Sequence, residues 1–428
     1  MKTLSVKKST LSGVISASPS KSHTLRAILF ASMANGASII HNYLRSPDAD
    51  AMIKACRQIG ADISIINDTI KINGVYGIPK TVDDVIDCGN SGQVLRFVTA
   101  IAAVNSNYAI FTGDHSIRHN RPMSPLITGL QQLGAFCVSS KNDGFAPIIV
   151  KGPIKHGTVT ISGEDSQPVS ALIMASIFLA GKTEIFVNNP GEKPWIDLTL
   201  SWLKKFNLSY ENHDYLHYII HGNAKLKGFN YSVVGDFSSI LFPIVAALIT
   251  NSEITLNYVD MNDVQGDKKV IAVLKQMGAN IDYNNKTQTL FVKPTIELVG
   301  QEIDVNDFID AVPILAVVGC YAKGLTKLVN AKIARSKECD RLACITKELR
   351  KMGAKIDEEV DSLTIKNASL NGAKVISHHD HRIAMSLSVA GFAASGTTEV
   401  EDIECIAKSY PTFYSDLQKL GAQITEKC

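Results

Sequence analysis

Ten charged side chains stand where they could bind and react with small anions. Four cations lie at the polar starts of apolar segments, and four more lie in loops with two acids among them. Arginine binds phosphate and carboxylate groups through paired hydrogen bonds, and an acid beside such cations can transfer protons or form salt bridges. The set comprises Lys21, Arg26, Arg96 and Arg382 at segment starts, Arg121, Lys337, Arg341 and Lys408 in loops, and the acids Asp310 and Glu338.

A short phrase that recurs along the chain predicts the elements that position these residues. In each copy an amphipathic segment ends at a glycine, or once at Asn207, and β-like sequence follows. Glycine adopts the left-handed conformation after a helix at low cost, so each mark predicts a helix end followed by a strand. Six units of about 71 residues fill the chain. The marks are Gly60, Gly134, Asn207, Gly278, Gly353 and Gly421.

A second, almost wholly apolar segment precedes each mark. A helix this apolar is buried on most sides, and its polar start supplies Ser, Asp or Asn as the N-cap. Each unit therefore reads as strand, helix, strand, helix and two strands, and three units would share a core of three buried helices. The six segments are 18–36, 89–103, 164–181, 235–250, 304–319 and 379–396.

Parallel packing of these buried helices would bring their N-termini together. A helix N-terminus offers unpaired N–H groups and a partial positive charge, which makes it a binding site for anions. The alternative is that the Ser, Asn and Asp residues are ordinary caps with no ligand. The cations that recur at equivalent positions of the units favour an anion site.

Composition excludes several classes of function. The chain has 428 residues, enough for two or three domains, and a formal net charge of +2, which disfavours nucleic-acid binding. It contains no GxGxxG, GxxxxGK[ST] or GxSxG motif. The eight cysteines form no CxxC pair, so we expect reduced thiols in a cytoplasmic protein. No signal peptide is evident, and the apolar runs are too short to span a bilayer.

Ten motifs in order identify a family resemblance over the whole chain. The sequence resembles the 5-enolpyruvylshikimate-3-phosphate synthases of the enolpyruvyl transferase superfamily. The motifs are PSKSHTLRA (19–27), GNSGQVLR (89–96), RHNRPM (118–123), SQPVSALIMA (166–175), KPWIDLTL (193–200), GDFSS (235–239), NDFIDAVP (306–313), SKECDRL (336–342), HDHRIAMS (379–386) and AKSYPTFY (407–414).

The resemblance implies an α/β fold, a two-domain inverse α/β barrel. Each domain would hold three βαβαββ units around buried parallel helices. Residues 1–18 with 235–428 would form one domain and residues 19–234 the other, with the active site in the interdomain cleft. The implied reaction transfers the enolpyruvyl group of phosphoenolpyruvate to the 5-hydroxyl of shikimate-3-phosphate and releases phosphate, a step of aromatic amino acid biosynthesis.

The resemblance also implies roles for individual residues. Catalysis would fall to Asp310 as the base, to Glu338 in protonating the methylene carbon, and to Lys21 beside both substrates. Shikimate-3-phosphate would be held by Lys21, Ser22, Arg26, Ser166, Gln167, Asp310 and Lys337. Phosphoenolpyruvate would be held by Lys21, Asn90, Gly92, Arg121, Gln167, Arg341, Arg382 and Lys408. No cofactor, metal, nucleic acid or membrane is expected, and a cytoplasmic monomer targeted by glyphosate is implied.

Five positions depart from the commonest family pattern. Asp165 and Glu192 stand where serines are frequent, Trp195 replaces a tyrosine, and Ile333 occupies a position often held by asparagine. These four positions belong to the part of the family pattern that binds shikimate-3-phosphate. Phe97 follows Arg96 where proline is frequent, which is expected to alter glyphosate sensitivity.

Two other functions and two metal sites compete with this interpretation. A UDP-N-acetylglucosamine enolpyruvyl transferase usually has a cysteine in its mobile loop, whereas residues 113–125 contain none. A non-catalytic anion-binding repeat protein could lack Asp310, Glu338 and Lys21, which are all present. His378, His379 and His381 around Asp380 resemble a metal cluster, but a helix capped by Asp380 is favoured. The histidines at 213, 217 and 221 lie in β-like sequence.

Overall fold

The computed structural model describes residues 2–427, which form two compact units. The first unit runs to Ser18 and resumes at Val234, and we call it the discontinuous unit. The second spans Pro19–Val233, and we call it the inserted unit.

Thirteen α-helices occur in the described part of the chain, and none of its helices is long and apolar enough to cross a membrane. Short 3-10 helices span Gly266–Lys268, Asn306–Ala311, Lys332–Ser336 and Ile403–Lys408. The α-helices are α1 (Lys21–Met33), α2 (Pro47–Gln58), α3 (Gly92–Ala102), α4 (His115–His119), α5 (Ser124–Gln132), α6 (Ser166–Ser176), α7 (Lys193–Lys205), α8 (Phe237–Ile249), α9 (Lys269–Gln276), α10 (Val312–Tyr321), α11 (Arg341–Lys351), α12 (His381–Gly391) and α13 (Phe413–Lys419).

The strands alternate with these helices along the chain. They are β1 (Thr3–Lys7), β2 (Ser12–Ser16), β3 (Ala37–His41), β4 (Asp62–Ile66), β5 (Thr69–Asn73), β6 (Ile86–Asp87), β7 (Tyr108–Thr112), β8 (Phe136–Ser139), β9 (Ile148–Lys151), β10 (Thr158–Ser162), β11 (Lys182–Asn188), β12 (Tyr210–His213), β13 (His217–His221), β14 (Asn230–Ser232), β15 (Glu253–Asn257), β16 (Ile281–Asn284), β17 (Thr289–Val292), β18 (Glu302–Asp304), β19 (Leu325–Val329), β20 (Lys355–Glu358), β21 (Leu363–Lys366), β22 (Lys374–Ile376), β23 (Thr397–Glu401) and β24 (Ile424–Lys427).

Six four-stranded sheets in the described residues follow one pattern, three in each unit. The first two strands are parallel, and the other two join them antiparallel, as in the order β10-β11-β13-β12. The inserted unit also contains β14-β3-β5-β4 and β6-β7-β9-β8. The discontinuous unit contains β16-β17-β15-β2, β18-β19-β21-β20 and β22-β23-β1-β24. The predicted βαβαββ unit and the α/β fold class are therefore confirmed.

Strands distant in sequence complete three of these sheets. β2 pairs in parallel with β15, and β1 pairs with both β23 and β24. β14 pairs in parallel with β3 at the other end of the inserted unit. Two strands from the start of the chain, β1 and β2, thus pair with strands that follow residue 250.

The six predicted helix ends are confirmed by the backbone. Each mark lies two residues after the last helical residue, and each has a positive φ, from +54° at Asn207 to +104° at Gly278. A strand begins within three residues of every mark. An asparagine can replace glycine in the third unit because its side chain tolerates the left-handed region.

The predicted apolar helices form the core of each unit. In the inserted unit α3 packs against both α1 and α6, and in the discontinuous unit α8, α10 and α12 contact one another. In α8 every residue from Phe237 to Leu248 is buried. The amphipathic helices and the sheets lie outside these buried helices.

Two glycines of the inserted unit allow the effect of backbone conformation on stability to be measured apart from the effect of steric crowding. A Cβ atom at Gly134 or at Gly157 would meet nothing within 4 Å, but only Gly134 has a left-handed φ, of +97°. We expect Gly134→Ala to lower the free energy of unfolding by ~1–2 kcal/mol and Gly157→Ala to change it by less than about 0.5 kcal/mol. Urea denaturation measures both, because Trp195 and Trp202 report on this unit. Equal effects would contradict the assignment of Gly134 as a helix terminator.

Candidate active site

Three helix N-termini of the inserted unit meet around the buried carboxylate of Asp48. Lys21, the first residue of α1, places its Nζ 3.6 Å from Asp48 Oδ2. Ser91, the N-cap of α3, donates its hydroxyl to the same oxygen at 3.0 Å. Gln93 donates to the Ser22 hydroxyl at 3.2 Å, which adds a second link between α1 and α3. Of the buried helices whose N-termini were expected to converge, α1 and α3 meet here, and α2 supplies the acid between them.

Gly92 brings three further predicted groups together at the start of α3. A Cβ atom at Gly92 would lie 2.8 Å from the Arg96 guanidinium, 3.3 Å from Gln167 Oε1 and 3.7 Å from Arg121 Cζ. Arg96 also donates to Gln167 Oε1 at 2.8 Å and to Pro122 O at 2.9 Å. A side chain at position 92 would therefore displace the Arg96 guanidinium and crowd Gln167, and glycine leaves the backbone accessible beside them.

Asn90 lies just before this helix and is held by the loop that follows β7. Its amide donates to Asp114 Oδ2 at 2.5 Å and to the Ser116 hydroxyl at 3.0 Å. Asp114 also caps the short helix α4. These contacts fix the orientation of the Asn90 amide.

The chain's own carboxylates bind the N-terminus of α6. Asp165 caps the helix through the N–H of Gln167 and forms an ion pair with Arg96 at 3.1 Å. Glu192 is buried, and its Oε2 accepts hydrogen bonds from the Ser166 N–H at 3.0 Å and from the Ser166 hydroxyl at 3.2 Å. The two acids that depart from the family pattern therefore occupy the donors predicted to bind a substrate phosphate.

Arg26 is buried in α1 among neutral acceptors. Its guanidinium donates to Thr199 Oγ1 at 2.9 and 3.1 Å, to Ser22 O at 3.2 Å and to Trp195 O at 3.3 Å. It also lies 5.0 Å from the centre of the Phe97 ring, so Phe97 supports it by a cation–π contact. Burial lowers the pKa of Arg26 to about 9, which leaves the side chain charged at neutral pH.

Arg341 organises the predicted residues of the discontinuous unit. It is the first residue of α11 and is fully buried, although the sequence placed it in a loop. Its Nε donates to Asp380 at 2.7 Å, and its two terminal nitrogens donate to Asp310 and Glu338, also at 2.7 Å. Burial alone would lower the pKa of Arg341, but these three carboxylates hold it well above the ordinary value.

Asp310 is shared between two guanidinium groups. Oδ1 accepts from Arg341 and Oδ2 accepts from Arg382 at 2.8 Å. The segment that carries it, the 3-10 helix Asn306–Ala311, contains a non-helical residue, Phe308, just before Asp310. Asp310 therefore joins the N-termini of α10, α11 and α12.

Glu338 is bound by Lys408 as well as by Arg341. Lys408 Nζ lies 2.6 Å from Glu338 Oε1, while Arg341 occupies Oε2, and all three side chains are buried. Lys337 is buried beside them. Predicted cations and acids from four segments thus meet around one guanidinium. Ile333 packs against the apolar core of the same unit.

The histidine-rich segment before α12 is a helix start. Asp380 caps α12 through the N–H of Arg382 at 2.8 Å, as predicted. His378 and His379 pair with Glu348 and Asp402 respectively. The histidines at 213, 217 and 221 lie on strands β12 and β13, which is also as predicted.

One group of potential metal ligands, Glu338, Asp380 and His381, lies within 4.8 Å in the described residues. Arg341 binds both carboxylates, Lys408 binds Glu338, and the Arg382 N–H binds Asp380. The two acids therefore act as partners for the chain's own cations.

Sequence reasoning missed two acids that hold the site together. Asp48 was not singled out, although its place in the first turn of α2 marked it as a helix-start acid. Asp380 was assigned only as a cap, whereas it also binds Arg341. Ion pairs between distant segments leave no spacing signal in the sequence.

The fold and these clusters define an α/β protein of six βαβαββ units, with lysine and arginine side chains grouped near the helix N-termini. A sequence model of the family EPSP synthase (3-phosphoshikimate 1-carboxyvinyltransferase) matches residues 6–417. The 3-phosphoshikimate 1-carboxyvinyltransferase of Acetivibrio thermocellus is 42% identical over 422 residues, which cover 99% of each chain. Its counterpart from Chlamydia caviae is 43% identical over 100% of this chain and 95% of its own.

Solved structures agree with the sequence relatives. An EPSP synthase structure from Acinetobacter baumannii matches with a TM-score of 0.83 and 27% identity over 100% of both chains. The chain belongs to the EPSP synthase family, and the resemblance stated from its motifs is confirmed.

Asp380 offers a test of the ion cluster around Arg341. Asp380→Asn keeps a good N-cap but removes one of three charges around a buried guanidinium, so we expect it to cost about 3 kcal/mol of unfolding free energy. Thermal and denaturant unfolding followed by circular dichroism measures this cost. Glu401→Gln, which breaks the surface pair with Lys374, should cost less than about 1 kcal/mol. Similar costs for both variants would contradict the proposed importance of the cluster.

Proposed function

We propose that this chain transfers the enolpyruvyl group of phosphoenolpyruvate to the 5-hydroxyl of shikimate-3-phosphate and releases inorganic phosphate. The reaction proceeds by addition and elimination through a tetrahedral intermediate. Family membership over the whole chain supports this reaction. The observation that carries the residue assignments is the carboxylate of Asp310, held with one oxygen on each of two guanidinium groups.

Both substrates are anions, so the protein must offset their repulsion. The buried cations Arg341, Arg382 and Lys408 now neutralise Asp310 and Glu338. When phosphoenolpyruvate brings its carboxylate and phosphate to these cations, it replaces the internal carboxylates as their partner. Such preformed donors cost little reorganisation, which favours both binding and charge development.

This exchange also explains how Asp310 becomes a base. A carboxylate that accepts from two guanidinium groups holds a proton weakly. Transfer of the guanidinium groups to the substrate frees Asp310 to accept the proton of the 5-hydroxyl. The hydroxyl oxygen then bonds to the second carbon of phosphoenolpyruvate.

Addition also needs a proton at the methylene carbon. Glu338 is assigned this transfer from the family resemblance, and its Oε1 lies 2.6 Å from Lys408 Nζ before substrate binds. Elimination removes a proton from the new methyl group while the phosphate leaves, and the double bond forms again. Lys21, at the N-terminus of α1, is assigned to stabilise the negative charge of the substrates.

The inserted unit supplies the remaining contacts. Asn90, Gly92, Arg121 and Gln167 are assigned to phosphoenolpyruvate, and Arg121 and Gln167 lie beside Gly92. Ser22, Arg26, Ser166 and Gln167 are assigned to shikimate-3-phosphate, with Lys21, Asp310 and Lys337. The monomeric state remains a prediction. A cytoplasmic location is proposed because the seven cysteines within the described residues are free thiols.

The reaction and the role of Asp310 can be tested together. Purified protein with both substrates should release phosphate, and Asp310→Asn should lower kcat by about 10²–10⁴-fold with smaller changes in KM. Asp307→Asn is the matched control, since Asp307 lies on the same 3-10 helix and pairs with Lys269 at the surface. Its kcat should stay within about twofold of the unaltered protein.

Two outcomes would overturn this proposal. Phosphate release with UDP-N-acetylglucosamine instead of shikimate-3-phosphate would place the chain with the other branch of the superfamily. Equal losses of kcat in Asp310→Asn and Asp307→Asn would remove Asp310 from the role of base.

The acid at the start of α6 generates a prediction about substrate affinity. Glu192 occupies the Ser166 donors, so a substrate phosphate must displace a carboxylate there. Glu192→Gln keeps the size and a hydrogen-bond acceptor but removes the charge, and we expect KM for shikimate-3-phosphate to fall about tenfold with kcat little changed. Glu164→Gln, an exposed neighbour, is the control. An increase of KM in Glu192→Gln would show that this carboxylate helps to bind the substrate.

A further inference from the structure

A buried acid of the discontinuous unit, next to the segment that carries Asp310, has no role in the reaction described above. Asp267 belongs to the 3-10 helix Gly266–Lys268, and none of its surface is exposed. Its Oδ2 accepts a hydrogen bond from the hydroxyl of Ser238 in the first turn of α8. Its Oδ1 is buried and has no hydrogen-bond partner among the described residues. A buried carboxyl with one free oxygen is costly and calls for an explanation.

The segment that carries Asp267 is held rigidly against α8. Gln265 accepts from the Phe237 N–H at 3.0 Å and donates to Gly235 O at 2.9 Å. Its own N–H donates to Asp263 Oδ1 at 3.0 Å. Lys268 turns away and donates to Met261 O at 3.2 Å. Asp267 is therefore placed by its neighbours and does not owe its burial to a flexible loop.

The same segment packs against the 3-10 helix that carries Asp310. The charged groups that act on Asp267 come from three elements: Asp310 on that helix, Arg382 on α12 and Asp236 at the start of α8. Arg382 in turn donates to Asp310 Oδ2 at 2.8 Å. Asp267 and Asp310 thus share the field of one guanidinium.

We infer that Asp267 is a positioning residue that sets how strongly Asp310 attracts a proton, which rests on the function proposed above. An ionised Asp267 competes with Asp310 for the charge of Arg382 and repels the charge of Asp310. It therefore makes Asp310 a stronger base. A protonated Asp267 removes this effect, so the two carboxyls titrate as a coupled pair.

The pKa of Asp267 lies near neutral pH, where its charge can change under working conditions. Burial is the largest cause and Asp310 the next, and together they raise the pKa of Asp267 to about 7, against the opposing effects of Arg382 and the Ser238 hydroxyl. A small change of pH near neutrality consequently changes the charge beside Asp310.

The pH profile of kcat/KM for phosphoenolpyruvate tests this inference on the full-length protein. The unaltered chain should gain activity as pH rises through about 7, whereas Asp267→Asn, which stays neutral, should lose that rise and show a roughly tenfold lower value at about pH 8. A uniform loss at every pH would indicate a structural role only and would overturn the inference.

Ser238→Ala provides a second variant should Asp267→Asn fail to fold. Loss of the hydroxyl that stabilises ionised Asp267 should move the rise by about one unit to higher pH. Ser239→Ala is the matched control, because Ser239 Oγ donates to Ser409 O instead. An unmoved rise in Ser238→Ala would also overturn the inference.

A measurement without turnover separates this inference from the proposed function. Carbon-13 NMR of aspartate-labelled protein can follow the carboxyl of Asp267, identified by its loss in Asp267→Asn. In Asp310→Asn its titration midpoint should move to lower pH by about one unit, because the repelling charge is gone. An unchanged midpoint would contradict the coupling. A shifted midpoint in a protein that releases no phosphate would contradict the proposed reaction and leave the coupling intact.

Discussion

A guanidinium group can be buried only where acceptors surround it, and the discontinuous unit is arranged around this constraint at Arg341. Its acceptors come from the N-cap of α12, the 3-10 helix before α10 and the residues before α11. One side chain therefore fixes the mutual positions of three segments. The same hydrogen bonds prepare an exchange, since an incoming anion can replace an internal carboxylate without a new cation being buried.

The inserted unit meets a related constraint in another way. Arg26 is buried among neutral oxygens, whereas Arg96 is paired with Asp165. At the start of α6, Glu192 occupies donors that the family pattern assigns to substrate. The two units thus differ in how their carboxylates are held: by a buried arginine in the discontinuous unit, and by the N-terminus of α6 in the inserted unit.

Much of the fold could be predicted because its rules are local. A left-handed residue must end each amphipathic helix, which made Gly60 and its equivalents recognisable, and wholly apolar helices must be buried. The partners of β1 and β2 could not be predicted, because alternation along a strand shows which face is buried but not which strand lies beside it. The βαβαββ unit followed from both kinds of evidence together.

The site was predicted less completely for a similar reason. Family motifs supplied Asp310, Glu338 and Arg341, but the motifs do not state that one arginine binds both acids. Asp48 and Asp267 escaped notice since each acts through segments that are distant in sequence. Glu192 departs visibly from the family pattern, yet the direction of its side chain depends on a left-handed backbone with φ of 48° that a glutamate rarely adopts.

The borrowed strands have a consequence for how the chain is made. β1 and β2 leave the ribosome before the inserted unit, but β15 begins only at Glu253, and β23 and β24 lie beyond residue 396. The inserted unit is continuous and can fold while later segments are still being translated. Throughout that interval the backbone edges of β1 and β2 lack their native partners and can pair with another nascent chain.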